Sequence, residues 1–337
     1  MVVVGALDFG KHVVGRRPRE IHAADFAADG AGRSLFGRLL ARRGRLPYQP
    51  AMFAEAWQIL LQGEAAARNG APLEQCLGVL RQMAFADFAE LMFSLPRDEL
   101  PALSAMLPRM AAVEDQRLWT GFSGETLLKQ TVPFVRGLAH AYAQHCGRIG
   151  EARVLDFGCG YGRHLRLMAY YVDPGRLYGC DPMPASLGRC FDRGVWGQLA
   201  RSEPVPATLP FAQQFDLIYA FSVFTHLAPR AMRQSLSALR EKLRPGGLLA
   251  ITIFPIEYWV DDAVAAADKT RMREQHRRCG FAFLPLEGED ALAVDGEATY
   301  GRTTMSVDYL LSAYPQFRLK GLDRALEDPY QSVVYLS

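Results

Sequence analysis

Three glycines spaced by two, Gly158, Gly160 and Gly162, follow the apolar run Val154–Phe157 and precede a helical stretch from His164 to Tyr171. Glycine lets the chain turn sharply and brings its backbone against a ligand with no Cβ between them. The helix start beside the loop offers unpaired N–H groups. A ligand site at the carboxyl end of a strand in an open α/β sheet is therefore expected. The dinucleotide fingerprint G-x-G-x-x-G needs its third glycine one residue later, where this chain has Arg163. Asp156 stands two residues before the first glycine. A carboxylate there repels a pyrophosphate and suits a ligand with an ammonium group. Cys159, inside the loop, has no activating neighbour in the sequence and is expected to be small filler.

Three further stretches follow in order. Leu177 to Asp181 places a carboxylate at the end of a second strand. Phe215 to Ser222 is a third apolar strand ending in Phe221 and Ser222, and Leu243 to Leu249 carries a Pro-Gly-Gly turn leading into another. With the D-x-G-x-G-x-G loop, these features resemble the class I S-adenosylmethionine-dependent methyltransferases over about residues 120–337. The resemblance implies an α/β fold, a Rossmann-like doubly wound seven-stranded sheet with an antiparallel last strand. It implies S-adenosyl-L-methionine as cofactor and a transferase activity. Asp156, Gly158, Cys159, Gly160, Tyr161 and Gly162 would hold or line the methionine end, Asp181 the ribose, and Pro182 and Met183 the adenine, with Phe221 and Ser222 completing the cofactor site. The acid that reads the adenine amino group in many relatives has only Glu203 as a counterpart here.

Methyl transfer from a sulfonium is an in-line displacement, so the main tasks are positioning and exclusion of water. A general base is needed when the nucleophile is a hydroxyl. His226, between the Phe215–Phe221 strand and a helix starting near Pro229, lies at the carboxyl edge of the sheet and is the candidate base. A histidine at such a junction can equally well bond backbone, so both roles stay open. Trp119, Tyr258, Trp259, Tyr300 and Arg302 are the candidate acceptor residues, and His276 and the acids Glu257, Asp261 and Asp262 lie in the same insertion. The acceptor expected is a small molecule, a sugar or secondary metabolite methylated on oxygen or nitrogen. A protein acceptor and a non-catalytic cofactor-binding or regulatory scaffold remain the alternatives.

Apolar residues at helical spacing predict helices over 51–68, 72–95 and 99–114, with Pro108 kinking or splitting the last. A turn-rich joint at Trp119–Gly124 and a helix over 125–146 lead to strands at 153–157, 176–180, 196–201, 215–221 and 247–254. A polar stretch follows Pro255, then a helix over 306–314 and two strands, 317–323 and 331–336, close enough to pair antiparallel. Two units are expected: a helical N-terminal domain or cap over 1–120 and a methyltransferase domain over 121–337, with a substrate-covering insertion at about 255–304. Residues 1–120 would help wall the acceptor pocket or, alternatively, pair two copies in a homodimer.

The 337 residues are 50% hydrophobic and 22% charged, which excludes a disordered or fibrous chain. Lys plus Arg is 38 and Asp plus Glu is 36, a formal charge of +2, so no nucleic-acid or anionic-membrane partner is indicated. An Arg-rich segment at 11–45 is expected to be solvated surface. The amino-methylation motif of the Pro-Pro-Tyr type and the Pro-Cys of cytosine methylation are missing after 215–221. No apolar run approaches the roughly 18 residues of a membrane span, and Met1–Leu7 is too short for a secretory signal. Six cysteines without a C-x-x-C pair suggest neither a metal cluster nor a disulfide framework, and fit a cytoplasmic protein.

Overall fold

The structure, a computed structural model, describes residues 54–260, 264–286, 293–324, 328 and 330–337. The Arg-rich segment, Asp261 and Asp262 lie outside the described residues.

The sheet is built from β1 (Val154–Phe157), β2 (Leu177–Asp181), β3 (Gln198–Arg201), β4 (Phe215–Ala220), β5 (Leu243–Ile253) and two late strands, here β10 (Leu319–Arg324) and β11 (Ser332–Leu336). Their order is β10-β11-β5-β4-β1-β2-β3. β1 to β5 pair in parallel, and β11 runs antiparallel to both β5 and β10. The hairpin expected over the last two strands therefore forms with its second strand wedged between the first and β5. The start of β5 at Leu243 already belongs to the strand, so the Pro-Gly-Gly turn is absorbed into it.

Side chains alternate across the sheet, as the pleat requires. Val154, Leu248, Ala250, Val333 and Tyr335 face one core; Leu155, Leu249, Ile251, Val334 and Leu336 face the other. Both faces of the central strands are covered, which is why β1 and β4 are almost unbroken apolar runs. The helices behind the first face are α1 (Ala54–Arg68), α2 (Leu73–Leu80), α3 (Phe85–Ser94), α4 (Pro101–Met106), α6 (Gly124–His145) and α7 (Arg163–Met168), whereas α5 (Val113–Thr120) packs through Trp119 on a separate cluster of Met110, Leu127 and Tyr161. Leu77, Phe88, Leu103 and Leu138 from these helices join Val154 and Leu217 of the sheet in one core. α8 (Pro184–Asp192) follows β2, and α9 (Pro229–Lys242) packs on the second face.

The helix expected over 72–95 is two helices. The break falls at 81–84, where Ala84 is extended and Arg81 reaches away to the carbonyls of Ala169 and Val172 and to Asp173 Oδ1 at 2.7 Å. Apolar spacing runs straight through, because Leu77, Leu80, Phe88 and Leu91 all stay buried. The helix expected over 99–114 ends at Met106. Leu107 is extended, the conformation that the following Pro108 imposes. Trp119 and Thr120, expected in a joint, are the last residues of α5, and Gly121 at φ 78° ends it.

The polar stretch after Pro255 has structure of its own. A short helical turn at Ile256–Val260 is followed by α10 (Ala266–Cys279), then β6 (Phe281–Pro285), β7 (Ala293–Val294), β8 (Glu297–Ala298) and β9 (Gly301–Met305). β6 pairs with β9 and β7 with β8. α11 (Val307–Ala313) completes the second layer. Trp259 Nε1 donates to Thr304 Oγ1 at 2.7 Å, and that hydroxyl, 2.8 Å from His276 Nδ1, can donate onward. All three residues are buried, so this chain pins the turn, β9 and α10 together.

Candidate functional site

The carboxyl ends of β1, β2 and β4 open into a cavity of about 250 Å3. Gly158, Gly160 and Gly162 all have positive φ, at 77°, 53° and 74°. A Cβ on Gly158 would stand 2.4 Å from Val223 Cγ2, and one on Gly162 would stand 2.5 Å from Val195 Cγ1. The loop therefore needs glycine at both positions for conformation and for space. Gly158, Cys159, Gly160 and Tyr161 line the cavity, whereas Gly162 packs away from it. Cys159 is buried beside Cys190, which together with burial pushes its thiol well up, so filler is its structural role.

Asp181 sits at the mouth of β2 with both oxygens engaged. Oδ2 accepts from Gly160 N and Oδ1 from Met183 N, each at 2.9 Å. Each oxygen keeps a lone pair for a cavity ligand. Burial pushes its pKa up while the Met183 and Gly160 amides hold it down. Pro182, Met183 and Pro204 continue this end of the cavity. Glu203 is exposed and does not line it, so the adenine-amino acceptor expected there is not supplied by that carboxylate.

Asp156 is placed differently from the expectation. It is buried on β1 opposite Tyr219 of β4 and does not line the cavity. Burial pushes it up to about 8, the Asp181 charge adds to the rise, and Tyr219 and Arg163 oppose it. The folded protein thus keeps this proton to about pH 8, while the unfolded chain releases it near the ordinary 3.8. The folded state holds more protons between those values, so stability falls as pH rises from 3.8 to about 8. Asp156→Asn should flatten that limb of a Tm-against-pH profile; an unchanged slope would assign the titration to another group.

His226 lies in the turn after β4 and lines the cavity with Phe221 and Ser222. Its Nδ1 is 2.8 Å from the Gly301 carbonyl oxygen. A carbonyl only accepts, so Nδ1 carries the proton and Nε2 is the basic nitrogen. Gly301 N also donates to His226 O, locking β9 to this turn. The ring stacks on Tyr300, with centroids 5.0 Å apart and planes at 13°. Tyr258 stacks on Phe254 at 4.1 Å. Of the candidate acceptor residues, Trp119, Tyr258, Tyr300 and Arg302 line the cavity. Trp259 does not: it is fully buried and holds Thr304. Trp119 lies on the glycine loop, 3.5 Å from a Cβ placed on Gly160, with Arg189 over its ring and its Nε1 donating to Ser186. His276 belongs to the Thr304 chain and not to the cavity.

Gly301 is a position where a side chain has no room, since a Cβ would stand 2.2 Å from Leu284 O. Gly301→Ala should part β9 from β6, carry the Nδ1 acceptor with it and turn the His226 ring. A displacement of about 1 Å at a catalytic group costs on the order of 10²-fold in turnover. The check is kcat beside the cofactor dissociation constant, with only kcat falling.

Arg163, Asp328, Gln331 and Phe254 are among the cavity residues that escaped the sequence analysis. Arg163 was visible only as the residue that spoils a dinucleotide fingerprint. Asp328 and Gln331 were visible only as parts of the last turn and strand. Phe254, whose ring backs Tyr258, looked like the apolar end of a strand. None carries a spacing signal, and Asp328 and Gln331 reach the cavity only through the strand order.

Among the described residues no group of three His, Cys, Asp or Glu side chains could hold a metal ion, and no helix is long and apolar enough to cross a membrane.

Residues 154–247 match a family profile described as a methyltransferase domain. The tRNA U34 carboxymethyltransferase of Shewanella sp. (strain W3-18-1) is 28% identical over 156 residues, covering 40% of this chain and 46% of that protein. The chain thus spans less than half the length of this curated relative. Among solved structures, the DhpI-SAH complex is similar at 15% identity and a TM-score of 0.38, over 61% of this chain and 86% of that one. The glycopeptide N-methyltransferase MtfA is similar at 12% identity and a TM-score of 0.41, over 60% of this chain and 90% of that one.

Proposed function

We propose that this chain, whose residues 154–247 match a methyltransferase domain, is a class I S-adenosylmethionine-dependent methyltransferase and that it methylates a hydroxyl of a small-molecule acceptor. The observation that carries this reading is the pairing of Asp181 and His226 within one cavity, the first suited to a ribose and the second to a proton. The cavity fits the cofactor by its chemistry. Asp181 retains acceptor capacity for the ribose hydroxyls, Met183, Pro182 and Pro204 offer an apolar wall for the adenine, and the bare backbone of Gly158 and Gly160 faces the space for the amino-acid end. When bound, S-adenosylmethionine supplies a methyl group already activated on a sulfonium.

The protein's own task is then to orient and to dry the site. Trp119, packed over Gly160, and Tyr258 and Tyr300, from the insertion, give it apolar walls that exclude water from a charged sulfonium. His226 Nε2 receives the acceptor hydroxyl's proton as the oxygen becomes nucleophilic, and the Gly301 carbonyl stabilises the imidazolium through Nδ1–H. Covering of the site by residues 255–304 and by the end of α5 belongs to this reading. So does a division of labour between the helices up to Thr120 and the sheet domain.

Calorimetry on the whole chain tests the cofactor: S-adenosylhomocysteine should bind, and binding of NAD in its absence would overturn the assignment. Methyl label from S-adenosylmethionine, offered with a metabolite extract and separately with bulk tRNA, tests the acceptor by mass spectrometry. Label in the small-molecule fraction supports the proposal; label in tRNA alone, as the 28% identical relative suggests for itself, overturns it.

A further inference from the structure

One wall of the cavity carries polar groups that the methyl-transfer chemistry leaves unused. It is formed by the start of α7, the residues after β4, Asp328 and the residue before β11, and its polar residues include Arg163, Asp328 and Gln331 besides His164 and Ser222. Arg163, Asp328 and Gln331 are only 6%, 5% and 3% exposed, although two are charged. Burial of such groups is costly unless something satisfies them.

Gln331 is the most informative. Its Nε2 donates to Ser222 Oγ at 3.1 Å, and its Oε1 has no partner. The amide orientation follows from the neighbouring chain of bonds. His226 Nδ1 donates to Gly301 O, so Nε2 accepts; the Ser222 hydroxyl can donate to Thr225 Oγ1 at 3.3 Å or to that nitrogen at 3.5 Å, and in either case its oxygen can receive from Gln331. The chain of bonds ends at the Gln331 carbonyl oxygen, a buried acceptor with no partner on a residue that lines the cavity. Leaving such an acceptor unmet costs about 1–3 kcal/mol.

Arg163 and Asp328 sharpen the requirement. The Arg163 guanidinium lies 5.0 Å over the Phe221 ring, and each charge acts on the other's proton affinity. Among the described residues, no ion pair within 4.0 Å joins them. A ligand group between them meets a donor on one side and an acceptor on the other. A carboxylate would face Asp328, and an ammonium would face Arg163. A hydroxyl accepts from the guanidinium and donates to the carboxylate or to Gln331 Oε1. Phe254, Tyr258 and Tyr300 complete the pocket with aromatic surface, which suits the C–H faces of a saturated ring.

We infer that the acceptor is a neutral polyhydroxylated ring, a sugar or cyclitol, methylated at one hydroxyl while Gln331, Asp328 and Arg163 read the hydroxyl next to it. The inference rests on the methyltransferase reading and narrows its acceptor. In the step itself the acceptor oxygen forms a bond to the methyl carbon as the S–CH3 bond breaks. The bonding pair stays on sulfur, giving S-adenosylhomocysteine, and the hydroxyl proton passes to His226 Nε2 and then to solvent.

The test uses the full chain, first shown by calorimetry to bind S-adenosylhomocysteine; failure there overturns the methyltransferase reading and this inference with it, whereas the results below bear on the acceptor alone. Labelled methyl transfer is then measured to methyl glucopyranoside, methyl rhamnopyranoside and myo-inositol. Their monodeoxy derivatives lacking the hydroxyl beside the methylated one are measured alongside, with serine as a zwitterion and 4-hydroxybenzoate as an anion. Transfer to a polyol with about tenfold discrimination against its deoxy analogue is expected. Gln331→Leu should reduce that discrimination to within twofold, and Asp328→Asn, which keeps an acceptor oxygen, should lower kcat/KM less than about threefold. Should Gln331→Leu not fold, the wild-type ratio and Asp328→Asn decide. Preferential transfer to serine or 4-hydroxybenzoate overturns the inference. So does no transfer to any polyol, or discrimination that survives Gln331→Leu. A loss of S-adenosylhomocysteine affinity in Asp328→Asn would reassign the wall to the cofactor, and also overturns it.

Discussion

His226→Asn should lower kcat for a hydroxyl acceptor by about 10²- to 10⁴-fold, the usual contribution of a positioned general base. Asparagine can still hydrogen-bond the Gly301 carbonyl through its amide, so the β9 contact survives while the proton acceptor is lost. Affinity for S-adenosylhomocysteine should change less than about twofold, because His226 bonds Gly301 and Ser222 whereas Asp181 holds the Gly160 and Met183 amides. The pH profile separates a catalytic from a structural role. In the wild type, kcat/KM should rise with pH as the imidazole deprotonates, and in the variant that limb should vanish. A variant with reduced but still pH-dependent turnover would make His226 a positioning residue, and the base would lie elsewhere.

Asp181→Ala should weaken S-adenosylhomocysteine binding by about 100-fold, or about 2.7 kcal/mol. The carboxylate does two jobs, and the loss combines them. It holds Gly160 N and Met183 N at 2.9 Å, fixing the glycine loop against the end of β2. Its remaining lone pairs are the acceptors proposed for the ribose. Asp181→Asn should be nearly as damaging. An amide has one oxygen, so whichever way it is turned its NH2 group confronts either the Gly160 or the Met183 N–H. Calorimetry of the three proteins is the check. Asparagine binding as tightly as aspartate would mean that the two backbone contacts dispense with the charge and that the ribose is read elsewhere.

Both effects bear on how the two ends of the cavity differ. The loop end is rigid backbone: positive-φ glycines, a carboxylate holding two amides, and a tryptophan laid across Gly160. The His226 end is assembled from the turn after β4, from β9 and from Asp328 and Gln331 ahead of β11, residues far apart in the chain. A change in the first should alter cofactor affinity, and a change in the second should alter turnover or acceptor choice.

The amino-acid sequence by itself determined the parts that rest on local physics. The Gly158–Gly162 spacing, the apolar runs of β1, β2, β4 and β5 and the acid ending β2 follow from backbone freedom, two-sided burial and strand length. His226 could be placed on the carboxyl edge because a strand and a helix start bracket it. Pro108 announced the end of α4, since the residue before a proline is driven out of the helical region. The tertiary structure decided everything that depends on which distant segments meet. Apolar periodicity ran unbroken through 81–84, where the chain turns because Arg81 finds the carbonyls of Ala169 and Val172. Asp156 and Trp259 were expected at a ligand and are buried structural groups, one inside the sheet and one under β9. Burial is set by neighbours that the local pattern does not contain. Arg163, Asp328 and Gln331 came together at the cavity only when β11 inserted between β5 and β10. Strand order is a long-range choice among topologies, and no local spacing in a single sequence encodes it.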